Sequence, residues 1–265
     1  MSVSRFAEIV DAPEGGWRRG RRRGVGGGGR SVRSCQGWRG DTVDVPQLVP
    51  ELRSAVADLN PDPDVVVALD AAFPRHLRAE VQGALGVLPP AKYPPAWPFH
   101  VLVAGEPVAI PYRVYPDEPS PDAQAALSPI QRAIVDCLYT RHHDGRVRQN
   151  HLERVVGLTE PWVAPFVVQL IGEYVDEILL AIQRDLAPPL TTPDSSAGRV
   201  YGRFAAENPA FLAITGQRVA SYWSCYYRQR YPALTDYPGH ALIAALRIAA
   251  RRCSTAVNGV SPRSG

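Results

Sequence analysis

Apolar residues recur at helical spacing through the second half of the chain. The clearest unit begins at Ser128-Pro129, since serine followed by proline is typical of the first turn of a helix. One apolar face follows, formed by Ile130, Ala133, Ile134, Cys137 and Leu138. The polar sequence His142-His143-Asp144-Gly145 predicts that this helix ends in a turn.

Two further helices are predicted directly after this turn. The second covers residues 147–156, and Gly157 marks its end. The third starts at Thr159-Glu160-Pro161 and reaches Asp185, with an apolar stripe wide enough to predict a central helix packed on several sides. The pattern therefore predicts a helix–turn–helix–turn–long helix unit at the centre of the protein.

The C-terminal part continues as helices. Proline, threonine, serine and glycine over 187–198 predict a linker, and a short helix over 199–207 follows. Asn208-Pro209 opens a longer helix that reaches about residue 230. A last helix is predicted over 240–253.

The part before Ser128 is less regular. Short helices are predicted over 47–59, from Asp64 toward Phe73, and over 75–87. Five prolines between 89 and 98 predict an extended connector, because proline fixes φ and lacks an N–H donor. We expect Tyr93 and Trp97 to pack this connector on the body; a partner-binding polyproline segment is the alternative.

Alternating residues over 99–104 and 108–115 predict one β-hairpin, with Gly105-Glu106-Pro107 as its turn. The fold class is therefore mainly α, with about seven to eight helices and one hairpin near 99–115. We divide the chain into a tail (1–44), a small helical segment with connector and hairpin (45–118), and a helical domain (119–257). The last two parts are candidates for one unit.

Residues 1–44 are rich in arginine and glycine, and this composition predicts a disordered tail. They hold nine arginines and five acidic residues, whereas the remaining chain holds 20 basic and 21 acidic residues. Three interpretations stay open: translation from an upstream start site, a flexible tail without a specific role, and an arm that binds nucleic acid. The nearly neutral body gives no global electrostatic signature of a nucleic-acid or membrane partner.

The four cysteines are far apart in sequence, which argues against a zinc ribbon and a disulfide framework. Cys137 and Cys225 fall in apolar helical patterns and are expected to be buried. No run approaches the length of a membrane span, so we expect a cytoplasmic protein without a membrane partner. The chain has a single lysine, Lys92, and its arginine content matches a GC-rich coding bias.

The densest polar cluster lies around the predicted turn and second helix. Its candidate binding residues are Arg141, His142, His143, Arg146, Arg148, His151 and Arg154. The simplest interpretation is structural, with histidines near a helix end, an Asp-Gly turn and a solvated arginine face. A helix-turn-helix that binds nucleic acid is the alternative, although the apolar start of the third helix offers no side chain to base edges.

His143-Asp144 resembles the HD dipeptide of the helical HD phosphohydrolases. This resemblance implies a metal-dependent hydrolase in which His143 and Asp144 act as ligands. His100 and Asp176 or Asp185 would be further donors, because a metal that activates water needs several. The match covers two residues only, and Gly145 turns the chain where that family continues as helix.

A second cluster interleaves arginine with aromatic residues. Val219, Tyr222, Trp223 and Tyr226 share one helical face and are predicted to be core. The remaining residues form a candidate partner surface, because tyrosine and arginine are frequent in interface hot spots. This candidate surface consists of Arg218, Tyr227, Arg228, Arg230 and Tyr231.

Glu173, Asp176 and Glu177 are interpreted as a solvated acidic stripe on the long third helix. We find no nucleophile elbow, phosphate loop or dinucleotide-binding motif, and the sequence predicts no cofactor. The favoured hypothesis is a non-enzymatic interaction or scaffold module whose partner is an unidentified protein or a second copy of the chain. A nucleic-acid-binding module and a metal-dependent hydrolase are the alternatives.

Overall fold

The computed structural model describes residues 68–258, with side chains as far as Ser254. The predicted tail (1–44), the helix over 47–59 and the start of the helix at Asp64 lie outside these residues. The predicted fold class, mainly helical with one hairpin, is confirmed. The longer helices are α1 (Arg78–Leu85), α2 (Pro121–Ala125), α3 (Pro129–Tyr139), α4 (Gly145–Val155), α5 (Ala164–Ile171), α6 (Asp176–Thr191), α7 (Ser196–Glu207), α8 (Pro209–Tyr222) and α9 (Pro238–Asn258). Short 3₁₀ turns cover Arg75–Leu77 and Leu234–Asp236, and a π-helical turn covers Trp223–Tyr227.

The hairpin consists of β1 (Pro98–Val103) and β2 (Glu106–Pro111), paired antiparallel. Its turn is Ala104-Gly105, one residue earlier than predicted, and both residues have positive φ (51° and 83°). Two-residue hairpin turns favour this backbone because it matches the twist of the strands. The buried amide of Asn208 holds β1 on the helices, since its Oδ1 accepts from the N–H of Leu102 at 2.7 Å and its Nδ2 donates to the same residue's carbonyl at 2.8 Å.

Side-chain caps start four of the described helices, and at α2 the cap is Ser120, which accepts from the N–H of Ala123. Ser128 and Gln131 form a reciprocal capping box at α3, as the Ser-Pro signal predicted. Asp144 caps α4 by accepting from the N–H of Arg146 and of Val147, so this residue starts the second helix and does not only close the turn. Ser195 caps α7 through the N–H of Gly198.

The predicted long third helix is wrong, because the chain forms two helices, α5 and α6, with a break at 172–175. Glycine destabilises a helix interior because it loses more conformational entropy than other residues on folding. A Cβ on Gly172 would lie 3.3 Å from side-chain atoms of Thr215 and Arg218, so α8 passes close to the break. Glu173 leaves the helical path here and binds buried arginines. Every residue of α5 is buried, which agrees with the central position predicted for this stretch.

The predicted linker over 187–198 is also wrong in its first half. Helix α6 continues through Pro188 and Pro189 to Thr191. Two prolines remove two backbone hydrogen bonds. The helix persists because Leu186 and Leu190, on either side of them, are buried in the core.

Three core predictions fail on the outer faces of helices. Ile130 is 46% exposed in the first turn of α3, and Cys225 and Tyr226 are exposed on the π-helical turn. The wider turn rotates these two residues away from the face that carries Val219. Cys137, in contrast, is buried as predicted. Within residues 68–258, no helix combines the length and the apolarity needed to cross a membrane.

Gly202 allows α7 and α9 to pack closely, since a Cβ there would lie 2.8 Å from backbone atoms of Ala249. We therefore expect Gly202→Ala to lower the free energy of unfolding by roughly 2 kcal/mol, as overpacking outweighs the better helix propensity of alanine. Urea unfolding measures the effect. Gly157→Ala is the matched control, because nothing lies within 4 Å of its Cβ position. Equal stability of the two variants would contradict the proposed close packing.

Candidate functional site

The predicted binding residues around the first turn do not form one surface. Arg141, His142, Arg148 and His151 are buried, so the expected solvated arginine face is wrong for Arg141 and Arg148, and the candidate binding surface is wrong for all four. His143, Arg146 and Arg154 are exposed. The buried members point inward because the break after α5 and the loop before α2 supply carboxylates there.

Glu173 binds three guanidinium groups at once. Its carboxylate accepts from Arg113 at 3.1 Å and from Arg141 at 3.2 Å, and it lies 3.1 Å from Arg148. We call these four residues the arginine–glutamate network. They come from the segment after β2, the end of α3, helix α4 and the break between α5 and α6. The network thus joins four parts of the chain around one buried carboxylate.

Backbone carbonyls also accept hydrogen bonds from the guanidinium groups of this network. The carbonyl of Tyr112 accepts from Arg113 and Arg141, and Arg148 donates to the carbonyls of His142 and His143. Three cations and one carboxylate leave an excess of two positive charges. Carbonyl dipoles lower the cost of this excess, because a buried charge needs hydrogen bonds as well as a counter-ion.

Glu173 stays ionised at neutral pH. Burial raises the pKa of its carboxyl, but the fields of Arg113, Arg148 and Arg141 outweigh burial and lower the pKa to about 2. Burial and the charge of Arg113 lower the pKa of Arg141 to about 9, which still leaves this guanidinium charged at pH 7. The network therefore acts as a permanent ionic clamp and not as an acid–base centre.

His151 forms a second buried contact, between two carboxylates. Its Nδ1 lies 2.6 Å from Asp136 and its Nε2 lies 2.9 Å from Glu118. An ionised carboxylate only accepts hydrogen bonds, so each ring nitrogen is placed to donate to a carboxylate when it carries a proton. The hydroxyl of Tyr139 donates to the carbonyl of Asp117 at 2.6 Å and its ring stacks on His151. Together these contacts fasten the loop before α2 to α3 and α4.

His142, His143 and Asp144 do not build a metal site. Asp144 caps α4, and Nδ1 of His142 accepts from the N–H of Asp144 at 3.1 Å. Burial and the neighbouring His143 lower the pKa of His142 to about 4, so its ring is neutral at pH 7. Asp176 and Asp185, nominated as further ligands, pair with Arg230 and Arg184. Across residues 68–258, no group of three or more histidine, cysteine or acidic side chains is placed to hold a metal ion.

The predicted acidic stripe is wrong for two of its three members. Glu173 lies in the network, and Asp176 is buried, where it accepts from the hydroxyl of Tyr231 at 3.2 Å and pairs with Arg230. Only Glu177 is exposed. The error follows from the helix break, which changes the direction of every side chain after Gly172.

A second group of candidate residues comes from the end of the hairpin, α8 and the π-helical turn. We call this group the aromatic face; its members are Trp97, Tyr112, Arg218, Tyr222 and Tyr226. Arg218 lies over the ring of Tyr112 at 5.1 Å and donates to its hydroxyl at 2.9 Å. Tyr222 stacks on Tyr226 with ring centroids 6.2 Å apart, and its ring also lies 5.9 Å from that of Tyr174.

Trp97 is 84% exposed. Its carbonyl accepts from the N–H of Tyr112, so the two residues are cross-strand neighbours whose side chains share one side of the ladder. Tyr226, on the π-helical turn, is 67% exposed. The prediction that Trp97 packs the connector on the body is therefore wrong.

The second predicted surface overlaps this face in part. Arg218 belongs to it. Arg228 lies over the ring of Trp223 at 4.9 Å, and Arg230 lies over that of Tyr231. Tyr227 is half-buried against Tyr237. Sequence reasoning missed Trp97, Tyr112 and Tyr222 as surface residues. The alternation of β1 gives no signal for Trp97, because it places Trp97 on the same side as the buried Phe99.

The hairpin turn borders a shallow hollow of about 200 Å³. Val103, Val200 and Phe204 line its apolar part, and Arg203 at its rim is paired with Glu207 at 2.9 Å. Cavities that enclose small-molecule ligands typically hold about 300 to 1,000 Å³. The hollow thus does not suggest a substrate or cofactor site.

Glu173→Gln should destabilise the protein by roughly 3 to 5 kcal/mol at pH 7, because three buried guanidiniums lose their counter-ion. Urea unfolding measures the loss. Glu153→Gln neutralises an exposed carboxylate on α4 and should change stability by less than about 0.5 kcal/mol. A loss as small as that of the control would show that the network contributes little to stability.

The same network predicts that part of the free energy of unfolding is lost at acidic pH. The pKa of Glu173 is lower in the folded protein (about 2) than its ordinary value of 4.5. The stabilisation is therefore complete above pH 4.5 and is lost as the pH falls from there toward 2. Unfolding free energies across this range should converge for the wild type and Glu173→Gln. A constant difference between them would contradict the assignment.

Comparison with known proteins yields no relative. The chain matches no family model, no curated protein and no solved structure.

Proposed function

We propose that this protein is a non-enzymatic interaction module that binds a protein segment on the aromatic face. The observation that carries the proposal is the exposure of Trp97 and Tyr226, beside the half-buried Tyr112, Arg218 and Tyr222. Arg218 contacts the ring of Tyr112, and Tyr222 stacks on Tyr226. Tryptophan, tyrosine and arginine are the residues most enriched in binding hot spots. Exposed aromatic side chains that lie beside further aromatic rings favour an interaction site.

The buried network holds two points of the backbone that carry or contact the aromatic face. Tyr112 precedes Arg113, and Tyr174, which contacts Tyr222, follows Glu173. The backbone at both points is fixed by charge-assisted hydrogen bonds inside the protein. A rigid face loses little conformational entropy when a partner binds, so more of the contact energy contributes to affinity.

A protein partner is better supported than a nucleic acid. Phosphate binding relies on arginines that face solvent. On this side of the molecule Arg218 binds Tyr112, Arg230 pairs with Asp176, and Arg228 covers Trp223 and donates to Ser224. In the alternative interface around α4, Arg148 and His151 are buried. Nucleic-acid binding through His143, Arg146 and Arg154 stays a prediction.

Selection from a random peptide display library against the full chain tests the proposal. We expect ligands whose affinity falls at least tenfold with Trp97→Ser or with Tyr226→Ser, since each removes a large aromatic contact. Ile248→Ser is the control, because it removes an exposed apolar side chain from α9. Unchanged thermal unfolding of all three variants would verify that they fold.

Ligands that bind the face variants as well as the wild type, or a selection without any ligand, would overturn the proposal. A single-stranded oligonucleotide that binds the wild type and loses affinity with both face variants would reassign the face to nucleic acid.

A further inference from the structure

The arginine–glutamate network contains more hydrogen-bond donors than acceptors. A guanidinium carries five N–H donors. In Arg141 only Nη2 has partners, the carbonyl of Tyr112 at 3.1 Å and the carboxylate of Glu173 at 3.2 Å. Within residues 68–258, Nε and Nη1 of Arg141 have no hydrogen-bond partner, and Nε of Arg148 has none either. Several N–H groups of two neighbouring arginines therefore lack an acceptor.

These nitrogens are also shielded from solvent. The side chain of Arg141 is 0% exposed and that of Arg148 is 2% exposed. Buried polar groups without a partner are rare in folded proteins, because each has given up its hydrogen bonds to water without a replacement. An acceptor placed at these nitrogens would remove that cost.

The same two arginines have too little negative charge around them. In the described part of the chain, Glu173 is the only carboxylate that pairs with Arg141 or Arg148, and Arg113 binds it as well. Backbone carbonyls add dipoles but no formal charge. Burial, together with the charge of Arg113, lowers the pKa of Arg141 to about 9 although Glu173 acts in the opposite direction. The nitrogens that need an acceptor thus lie where a negative charge is favoured.

The surroundings select a small acceptor. Val114, Thr140 and His142, which adjoin these arginines along the chain or by backbone hydrogen bonds, are each at most 5% exposed. So closed an environment does not admit an organic ligand. A water molecule supplies hydrogen bonds but no charge. A halide ion accepts several N–H groups, carries one negative charge and is little larger than water.

From these observations we propose that the arginine–glutamate network binds a halide ion such as chloride on the buried guanidinium of Arg141, next to Arg148. The ion is a second counter-ion beside Glu173, so that two negative charges face the three guanidiniums. Because the ion binds the end of α3 and helix α4 only when they are packed together, it stabilises the folded state by mass action. This site is separate from the aromatic face and does not depend on the proposed function.

Thermal unfolding of the full chain in sodium bromide and in sodium gluconate, at equal ionic strength, tests the proposal. Bromide should raise the midpoint of the wild type by about 5 to 10 °C once it exceeds its Kd about 100-fold. Arg141→Gln should abolish this rise. Arg132→Gln is the matched control, because it removes an exposed arginine of α3 and should leave the rise unchanged. General salt effects act on all of these variants alike.

Glu173→Gln gives a readout that does not remove an arginine. This variant keeps all three guanidiniums and lacks their carboxylate, so more positive charge is uncompensated. We expect a larger bromide-dependent rise than in the wild type. A rise in this variant with none in the wild type would show that bromide only replaces the missing carboxylate, and it would overturn the proposal.

Anomalous X-ray scattering from bromide-soaked crystals locates the ion directly and needs no variant. We expect a peak within hydrogen-bond distance of a side-chain nitrogen of Arg141. Bromide confined to exposed arginines, or a water molecule at Arg141 in its place, would overturn the inference. Equal midpoints of the wild type in the two salts would overturn it as well.

Discussion

The buried carboxylate of Glu173 is the constraint on which the described part of the chain depends. Three guanidiniums from separate elements reach it, and they share this one counter-ion only when those elements meet at one point. A buried ion pair adds little to stability compared with apolar packing, yet it is strongly destabilising when it is broken. The network therefore selects one arrangement of the hairpin exit, α3, α4 and the α5–α6 break over competing packings of the same helices.

The positions of the surface residues around Tyr112 and Tyr174 follow from this arrangement. Tyr112 and Tyr174 each flank a member of the network along the chain, and both contact residues of α8. Gly172 lets α8 pass within contact distance of the break, which brings Arg218 to Tyr112. The positions of Tyr112, Arg218 and Tyr222 thus depend on the same contacts that hold the hairpin exit, the break and α8 together.

The loop before α2 is likewise held in place by contacts between titratable side chains. Glu118 and Asp136 enclose the ring of His151, and the hydroxyl of Tyr139 binds the backbone beside Glu118. The helices here are short, and their packing is set by polar side chains that reach across them as much as by apolar area. Buried polar networks of this kind favour a unique structure when every member has a partner.

The sequence by itself determined the local structure. Periodicity located the helices after Ser128, Ser128-Pro129 marked the start of α3, and alternation found the hairpin, because these signals depend on neighbours within a few residues. Tertiary structure alone decided that the third helix breaks at Gly172, that α6 continues through two prolines, and that Arg141, Arg148 and His151 are buried. Each of these outcomes depends on a partner distant in sequence. From sequence alone, a polar side chain whose counter-charge is distant along the chain is predicted to be solvent-exposed. Only the fold brings Glu173 to Arg141, and the fold likewise brings Trp97 to Tyr112.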